Sequence, residues 1–341
     1  MSIEIESRLI LSKPFLSRQE IKEAQAKTIS DRRIYNHKRL QCFKILSSMC
    51  ISLQFPRKTL ECAMYHYQRF YLYNVFESEF STDVAIAAIF LSCKQTETMK
   101  KLTDLINVFF KVTKSSSGKP ISGNNSSSDA SNNMNPLLAD DMKKKVAALE
   151  LKILEASSFD QRLFNVSIGD CIIKFSSKFN YTREEAYLSW IMGYDILKLE
   201  ILLLAPSHTI ALSILKICKM LVDNKNSDGS VKNTTIVEDN LESLHSDITT
   251  FKKSCNDILN YYINVYDVCE LRFVNPEYKK DDFIAIKDKL KYHIDVPPDI
   301  ATATQSFHVP LDTASETRYV VQRKRYNNEE SKIMKKTKKL E

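Results

Sequence analysis

Glycine is scarce in this chain: there are five in 341 residues, although average usage of about 7% would give roughly 24. β-Rich folds and phosphate-binding loops depend on glycine, because it adopts positive φ angles and lets other groups approach the backbone closely. The shortage therefore favours a helical protein and argues against a nucleotide-binding enzyme.

Long apolar runs are also missing. No stretch approaches 18 uninterrupted apolar residues, so the sequence predicts no membrane-spanning helix. The N-terminus mixes Glu4, Glu6 and Arg8 with apolar residues, which is not typical of a signal peptide. The eight cysteines contain no C-x-x-C pair, and most fall where a helix would bury them. We expect reduced thiols in an intracellular protein.

The usual signatures of catalysis are absent as well. No two of the six histidines are three or four residues apart, and no H-E-x-x-H, G-x-S-x-G or Walker sequence occurs. His66 and His208 are expected to be core or capping residues. The sequence thus predicts no catalytic residue, no metal and no cofactor, with an enzyme of unrecognised type as the minor alternative.

The charge is concentrated in a tail. The net charge is +7, and the segment from Arg318 to Glu341 holds nine Lys or Arg and three Glu. Its RKR (323–325) and KKTKK (335–339) resemble nuclear-import signals. A solvated appendage, or one with nonspecific affinity for RNA or DNA, is the alternative. The rest of the chain is nearly neutral, which does not favour specific nucleic-acid binding.

Helical periodicity predicts an all-α fold. A capping box at Ser17 and Glu20 marks a short N-terminal helix. The segment Val84–Cys93 is apolar all round, so it is expected at the centre of a bundle. Helices are predicted from Tyr35 to about Gln54, over Arg57–Tyr73 with a one-sided apolar stripe, over Leu102–Val112 and over Leu137–Ser157.

The second half repeats this scheme. Helices are predicted over 167–179, 183–199 and 206–222, followed by a long one that ends near residue 267. Residues 84–94 align with 209–219 at an offset of 125 and share three identities, two of which are a final Cys-Lys. An internal duplication is therefore predicted.

Two stretches lack this periodicity, namely residues 115–136 and the C-terminal tail. Residues 115–136 contain eight Ser and five Asn, which predicts a disordered insertion.

The predicted organisation has four parts. They are an N-terminal extension (1–34), a first five-helix unit (35–160), a second five-helix unit (161–272) and a mostly flexible basic tail (273–341).

The motifs add a family resemblance. FPRKTLECAMYHYQRFYL (55–72), VAIAAIFLSCKQTET (84–98), LELKILEASSFD (149–160) and PFLSRQEI (14–21) resemble transcriptional cyclins in order and spacing, in particular the cyclin subunits of fungal kinases that phosphorylate the C-terminal domain of RNA polymerase II. The resemblance implies two tandem cyclin boxes. It also implies a regulatory subunit that activates a cyclin-dependent kinase in transcription elongation, together with a third noncatalytic subunit.

The resemblance also implies a partner-binding site. In cyclins, a lysine that ends the third helix and a glutamate in the fifth hold the kinase backbone, and the matching positions here are Lys94 and Glu150. Leu91 and Leu154 match apolar positions that pack on the kinase helix. An ordinary surface ion pair is the alternative for Lys94 and Glu150, worth about 0–1 kcal/mol.

Other matching positions are expected to be structural. Arg39 precedes Gln68 by the family's separation between a first-helix arginine and the residue before Arg-Phe, a pair that helps to fix the box internally in the family. Here any link between the two would be a hydrogen bond to a neutral acceptor rather than an ion pair, with Arg69 and Phe70 in the same box. The resemblance implies the nucleus, with the cytoplasm as a second compartment. The alternative function is a DNA-binding adaptor like the general transcription factors with paired cyclin folds.

Overall fold

The computed structural model describes residues 13–116, 136–160, 166–225 and 236–290. Within these ranges the chain is helical and contains no β-strand. The helices are α1 (Arg18–Thr28), α2 (Arg32–Leu53), α3 (Arg57–Tyr73), α4 (Ser81–Gln95), α5 (Leu102–Ser116), α6 (Pro136–Ala156), α7 (Ile168–Lys178), α8 (Arg183–Ile196), α9 (Ser207–Lys225), α10 (Ile236–Asp239), α11 (Ile248–Val265), α12 (Glu270–Val274) and α13 (Lys280–Leu290). The all-α prediction is confirmed.

The first bundle is built around α4. Six consecutive residues of this helix, from Val84 to Ile89, are fully buried, as expected for a helix with no polar face. Helices α2, α3, α5 and α6 pack around it. The helix α3 has the bounds predicted from the sequence, because Pro56 ends the preceding segment and the apolar stripe follows at once.

The second bundle is built around α9 in the same way. Helices α7, α8, α11 and α13 pack against it, and Ile210–Leu215 is buried throughout. The aligned segments 84–94 and 209–219 thus occupy the central helix of each bundle. This placement supports the duplication inferred from the sequence.

The packed part of the chain extends beyond residue 272, where the sequence analysis ended the second unit. Helix α13 packs on α11 and α9, and its Phe283 and Ile286 are fully buried. Phe283 stacks on Tyr262 with 4.5 Å between ring centroids. The second bundle therefore continues to Leu290, past the boundary predicted at residue 272. The remainder, with RKR and KKTKK, lies outside the described residues.

The predicted insertion lies mostly outside the described residues, which omit 117–135. Helix α5 continues through Ser116, and α6 begins at Pro136. The flanking helices therefore extend into the edges of the predicted insertion by two residues at Ser115 and Ser116 and by one at Pro136.

Polar residues join the two bundles. The carboxylate of Glu61 on α3 is buried and accepts hydrogen bonds from the N–H of Ile168 at 3.0 and 3.1 Å and from the hydroxyl of Ser207 at 3.3 Å. Arg57, one turn earlier, donates to the carbonyl of Trp190 at 2.6 Å and lies over its indole ring. Glu61 of the first bundle thus accepts a hydrogen bond from the first residue of α7 and from the first residue of α9 in the second bundle.

The N-terminal segment contacts both bundles. Ser17 and Glu20 form the predicted capping box at the start of α1. The N–H of Leu16 donates to the carbonyl of Leu203 in the second bundle at 2.8 Å. The carbonyls of Lys13 and Pro14 accept from the guanidinium of Arg69 in the first bundle at 2.9 and 3.1 Å.

Candidate functional site

The site is centred on Lys94, in the last turn of α4, and Glu150, in the middle of α6. The Nζ of Lys94 lies 2.6 Å from Oε1 of Glu150. The same ammonium lies 4.0 Å from the ring centroid of Phe90, one turn earlier on α4. The side chain of Lys94 is 37% exposed and that of Glu150 is 16% exposed. Both charged groups are therefore accessible from one surface.

The packing of α6 on α4 fixes this geometry. Val146, Leu149 and Ile153, at helical spacing, are buried on one face of α6. Glu150 follows Leu149 directly, so it lies at the edge of that face, beside the end of α4. Lysine donates hydrogen bonds and glutamate accepts them, so the pair offers an incoming backbone both kinds of partner.

The two predicted apolar positions differ in their surroundings. Leu154 is half-buried and packs against the core. Leu91 is only 3% exposed and belongs to the core. In this structure Leu91 therefore presents almost no area to a partner, contrary to its expected role. On a helix that is apolar all round, the sequence does not reveal which residues reach the surface.

Exposed apolar residues near the pair were missed in the sequence analysis. Leu151, beside Glu150, is 53% exposed, and Phe159, after the end of α6, is 51% exposed. Met99, after the end of α4, is 71% exposed. The bond from the N–H of Thr98 to the carbonyl of Cys93 folds this segment back on the helix end. For Leu151, the signal was a large apolar residue at a polar-side position of the helical pattern.

Arg39 does not bond to Gln68. Its Nη1 donates to Oε1 of Glu200, which lies in the connection between α8 and α9, at 2.9 Å. Gln68 is buried, and its amide has no hydrogen-bond partner among the described residues. The structure thus shows Arg39 linked to Glu200 and not to Gln68, since a charged carboxylate is a stronger acceptor for a guanidinium than a neutral amide.

Arg69 and Phe70 lie inside the first bundle. Phe70 is fully buried in the core, and Arg69 is 2% exposed. The guanidinium of Arg69 donates to the carbonyl of Ala156 at 2.8 Å as well as to Lys13 and Pro14. It thus ties the end of α6 and the N-terminal segment to α3.

Other polar groups are built into the core. All eight cysteines are buried free thiols. His66 is 1% exposed, bonds to the Gln95 side chain at 2.7 Å, and has its pKa lowered by burial to about 4. In the described part of the chain, no group of three His, Cys, Asp or Glu side chains could hold a metal ion. No helix there is long and apolar enough to cross a membrane.

Comparison with known proteins places the chain in a family. The profile of the cyclin N-terminal domain matches residues 12–161. The CTD kinase subunit beta of Saccharomyces cerevisiae is 40% identical over 273 residues, covering 80% of this chain and 77% of that protein. The chain is a cyclin. This cyclin is also 26% identical over 212 residues to the CTD kinase subunit beta of Schizosaccharomyces pombe, covering 62% and 59% of the two chains.

A solved structure agrees with the sequence comparison. The cyclin is similar to a chain in the crystal structure of the yeast RNA Pol II CTD kinase CTDK-1 complex, with a TM-score of 0.73 and 34% identity. The match covers 92% of this cyclin and 95% of that chain. The resemblance noted at positions 14–160 thus extends over both bundles.

Proposed function

We propose that this cyclin is the regulatory subunit of a protein kinase that phosphorylates the C-terminal domain of RNA polymerase II. The names of its two relatives and of the matching complex support the kinase and its substrate. The observation that carries the proposal is the Lys94–Glu150 pair, which is accessible beside the exposed Leu151. The catalytic residues belong to the partner, because this chain is a cyclin.

The proposed mechanism is a population shift. A kinase catalytic subunit samples conformations in which its αC helix lies inward or outward. The cyclin binds the inward state and increases its population in proportion to the difference in affinity. In the inward state, the αC glutamate pairs with the lysine that orients the ATP phosphates. Lys94 donates to backbone carbonyls of the kinase and Glu150 accepts from its amides, while Leu151 and Leu154 add apolar contact.

The partial exposure of Lys94 and Glu150 favours a role in kinase binding over a purely structural role. A partly exposed ion pair contributes about 0–1 kcal/mol to stability, so stability alone gives little reason for its position. When a kinase covers the same two groups, they become desolvated, and the loss of one then costs about 2–5 kcal/mol of binding free energy.

Reconstitution with the catalytic subunit tests the proposal. Wild-type cyclin should activate phosphorylation of an RNA polymerase II C-terminal-domain peptide by the purified catalytic subunit. Lys94→Glu should lower the affinity by about 2–5 kcal/mol and leave the helical circular dichroism unchanged. Lys44→Glu, an equal charge change at an exposed position of α2, is the control. Full binding and activation by Lys94→Glu would show that the site is elsewhere.

The alternative, a DNA-binding adaptor, finds no support in the relatives, both of which are named as kinase subunits. A third noncatalytic subunit and a nuclear location belong to our proposal. Fusing residues 318–341 to a cytoplasmic reporter protein tests the location. Nuclear accumulation that is lost when RKR and KKTKK are changed to alanine supports the import signal, and an unchanged distribution contradicts it.

A further inference from the structure

A cleft of about 300 Å³ lies where α1, α2 and the second bundle meet. Helix α11 contributes one face to it, with Asp257, Asn260, Tyr261 and Asn264 at helical spacing. The opposite walls come from α1 and α2. These elements differ from the two helices that form the Lys94–Glu150 site.

Four cations line the cleft, namely Arg18, Lys22, Arg32 and Arg39. Two carboxylates, Asp257 and Glu200, face them. Arg18 pairs with Asp257. Arg39 and Arg32 both pair with Glu200, at 2.9 and 3.3 Å. Lys22 is exposed and has no carboxylate partner among the described residues. The lining therefore carries a net positive charge.

One donor in the cleft has no acceptor. The Nε of Arg39 is buried without a hydrogen-bond partner within the described ranges. Buried donors without partners are rare in folded proteins, so this N–H is available to an acceptor that enters the cleft.

The accessible hydrogen-bond donors of the cleft lie on α1 and α2, opposite α11. Arg32 and Asn36 lie four residues apart on α2, and Arg18 and Lys22 lie four apart on α1. Arg32 is 52% exposed and uses a single nitrogen in its long contact with Glu200. Its remaining N–H groups can form the paired hydrogen bonds that a guanidinium makes with phosphate oxygens.

We propose that this cleft binds the phosphoryl group of a phosphorylated serine or threonine in a peptide segment. A cleft of about 300 Å³ is large enough for one such side chain and part of its backbone. The amides of Asn36, Asn260 and Asn264 provide donors and acceptors for that backbone. A nucleic-acid strand is a poorer fit, because Glu200 and Asp257 would repel a continuous row of phosphates but tolerate a single one. The proposal goes beyond kinase activation and does not depend on it.

Fluorescence anisotropy with the full chain tests the proposal. The probe is a fluorescein-labelled peptide of ten Ala, Gly and Ser residues with one central phosphoserine. Its unphosphorylated form, inorganic phosphate and a 20-nucleotide single strand of DNA serve as competitors. We expect the phosphopeptide to bind, and binding to weaken as salt increases. The unphosphorylated peptide should compete at least about tenfold less well, a difference of about 1.4 kcal/mol.

Arg32→Glu and Arg33→Glu form a matched pair of variants. Both positions are exposed in the first turn of α2, but only Arg32 lines the cleft. Arg32→Glu should weaken phosphopeptide binding by about tenfold or more, whereas Arg33→Glu should leave it nearly unchanged. Arg32→Glu should still activate the kinase, because it lies outside the Lys94–Glu150 site.

Four outcomes would overturn the proposal. The first is equal binding of the phosphorylated and unphosphorylated peptides. The second is equal weakening by Arg32→Glu and Arg33→Glu, which would indicate only a general effect of net charge. The third is competition by inorganic phosphate at the same concentration as the peptide, which would show a site for a free anion. The fourth is tighter binding of single-stranded DNA, which would favour nucleic acid.

Discussion

The ammonium of Lys94 lies 2.6 Å from the carboxylate of Glu150, across 56 residues of sequence. The two helices that carry these groups pack on each other, so the pair has a fixed position on the surface of the first bundle. A cation and an anion held side by side satisfy each other in the free protein. Both are then available when a partner provides a carbonyl and an amide.

Exchanging the two charges separates binding from stability. The double variant Lys94→Glu with Glu150→Lys retains an ion pair, so its denaturant midpoint should stay close to that of wild type. Each group would meet the wrong partner on the kinase, so we expect the affinity to fall by about 2–5 kcal/mol. Isothermal titration with the catalytic subunit measures this loss. Wild-type affinity in the exchanged variant would mean that the pair is only structural.

Glu61 should make stability depend on pH. Burial raises the pKa of Glu61 to about 7, although the N–H of Ile168 and the charge of Arg57 act to lower it. The folded chain therefore binds more protons at this group than the unfolded chain between about pH 4.5 and 7. Its contribution to the free energy of unfolding is present at low pH and falls, by roughly 3 kcal/mol, as the pH rises through that range.

Glu61→Gln removes this titration while keeping an acceptor for Ile168. Urea unfolding between pH 4.5 and 8 should show that the difference in stability between Glu61→Gln and wild type changes across the range, with the variant gaining relative to wild type as pH rises. Parallel pH profiles for the two proteins would contradict the assignment.

Arg69 should be important for stability. Its guanidinium is buried and donates to three backbone carbonyls, those of Ala156, Lys13 and Pro14. Arg69→Ala would leave these carbonyls without their donor, and we expect a loss of roughly 3 kcal/mol in the free energy of unfolding. Limited proteolysis should also become faster before Ser17. An unchanged proteolysis rate at that segment would argue against its attachment through Arg69.

Gly193 should not tolerate a larger residue. A Cβ atom there would lie 2.7 Å from Nη2 of Arg57 and 2.8 Å from Cδ1 of Ile172. Gly193→Ala should displace Arg57 from the ring of Trp190 and cost about 1–3 kcal/mol. Trp190 is the single tryptophan of the chain, so its fluorescence spectrum reports this displacement directly. A fluorescence spectrum and a stability equal to those of wild type would show that the side chains around Gly193 leave room for a methyl group.

Local patterns predicted much of the architecture. The bounds of α3, the central position of α4 and the capping box at Ser17 followed from a proline, an unbroken apolar run and a pair of polar residues three apart. The proximity of Lys94 and Glu150 followed from the family resemblance, and the structure shows it. Their role in binding a kinase stays a prediction.

The sequence did not predict hydrogen bonds between residues that are far apart along the chain. Glu200 lies 161 residues from Arg39, and no local pattern marks it as the acceptor. Whether Leu91 faces outward depends on how α2, α3, α5 and α6 surround α4, and the seven residues before it, 84–90, are all apolar. Helix α13 escaped detection because two buried side chains in eleven residues form too short a pattern to recognise.

Residues 13–16 are bonded to Arg69 on one side and to Leu203 on the other. This short strap crosses the boundary between the two repeats. A truncated protein that starts at the first repeat would lose the hydrogen bonds that residues 13–16 make to each of the two repeats. We therefore expect a chain cut at the start of the first repeat to be less stable than one that keeps residues 13–16.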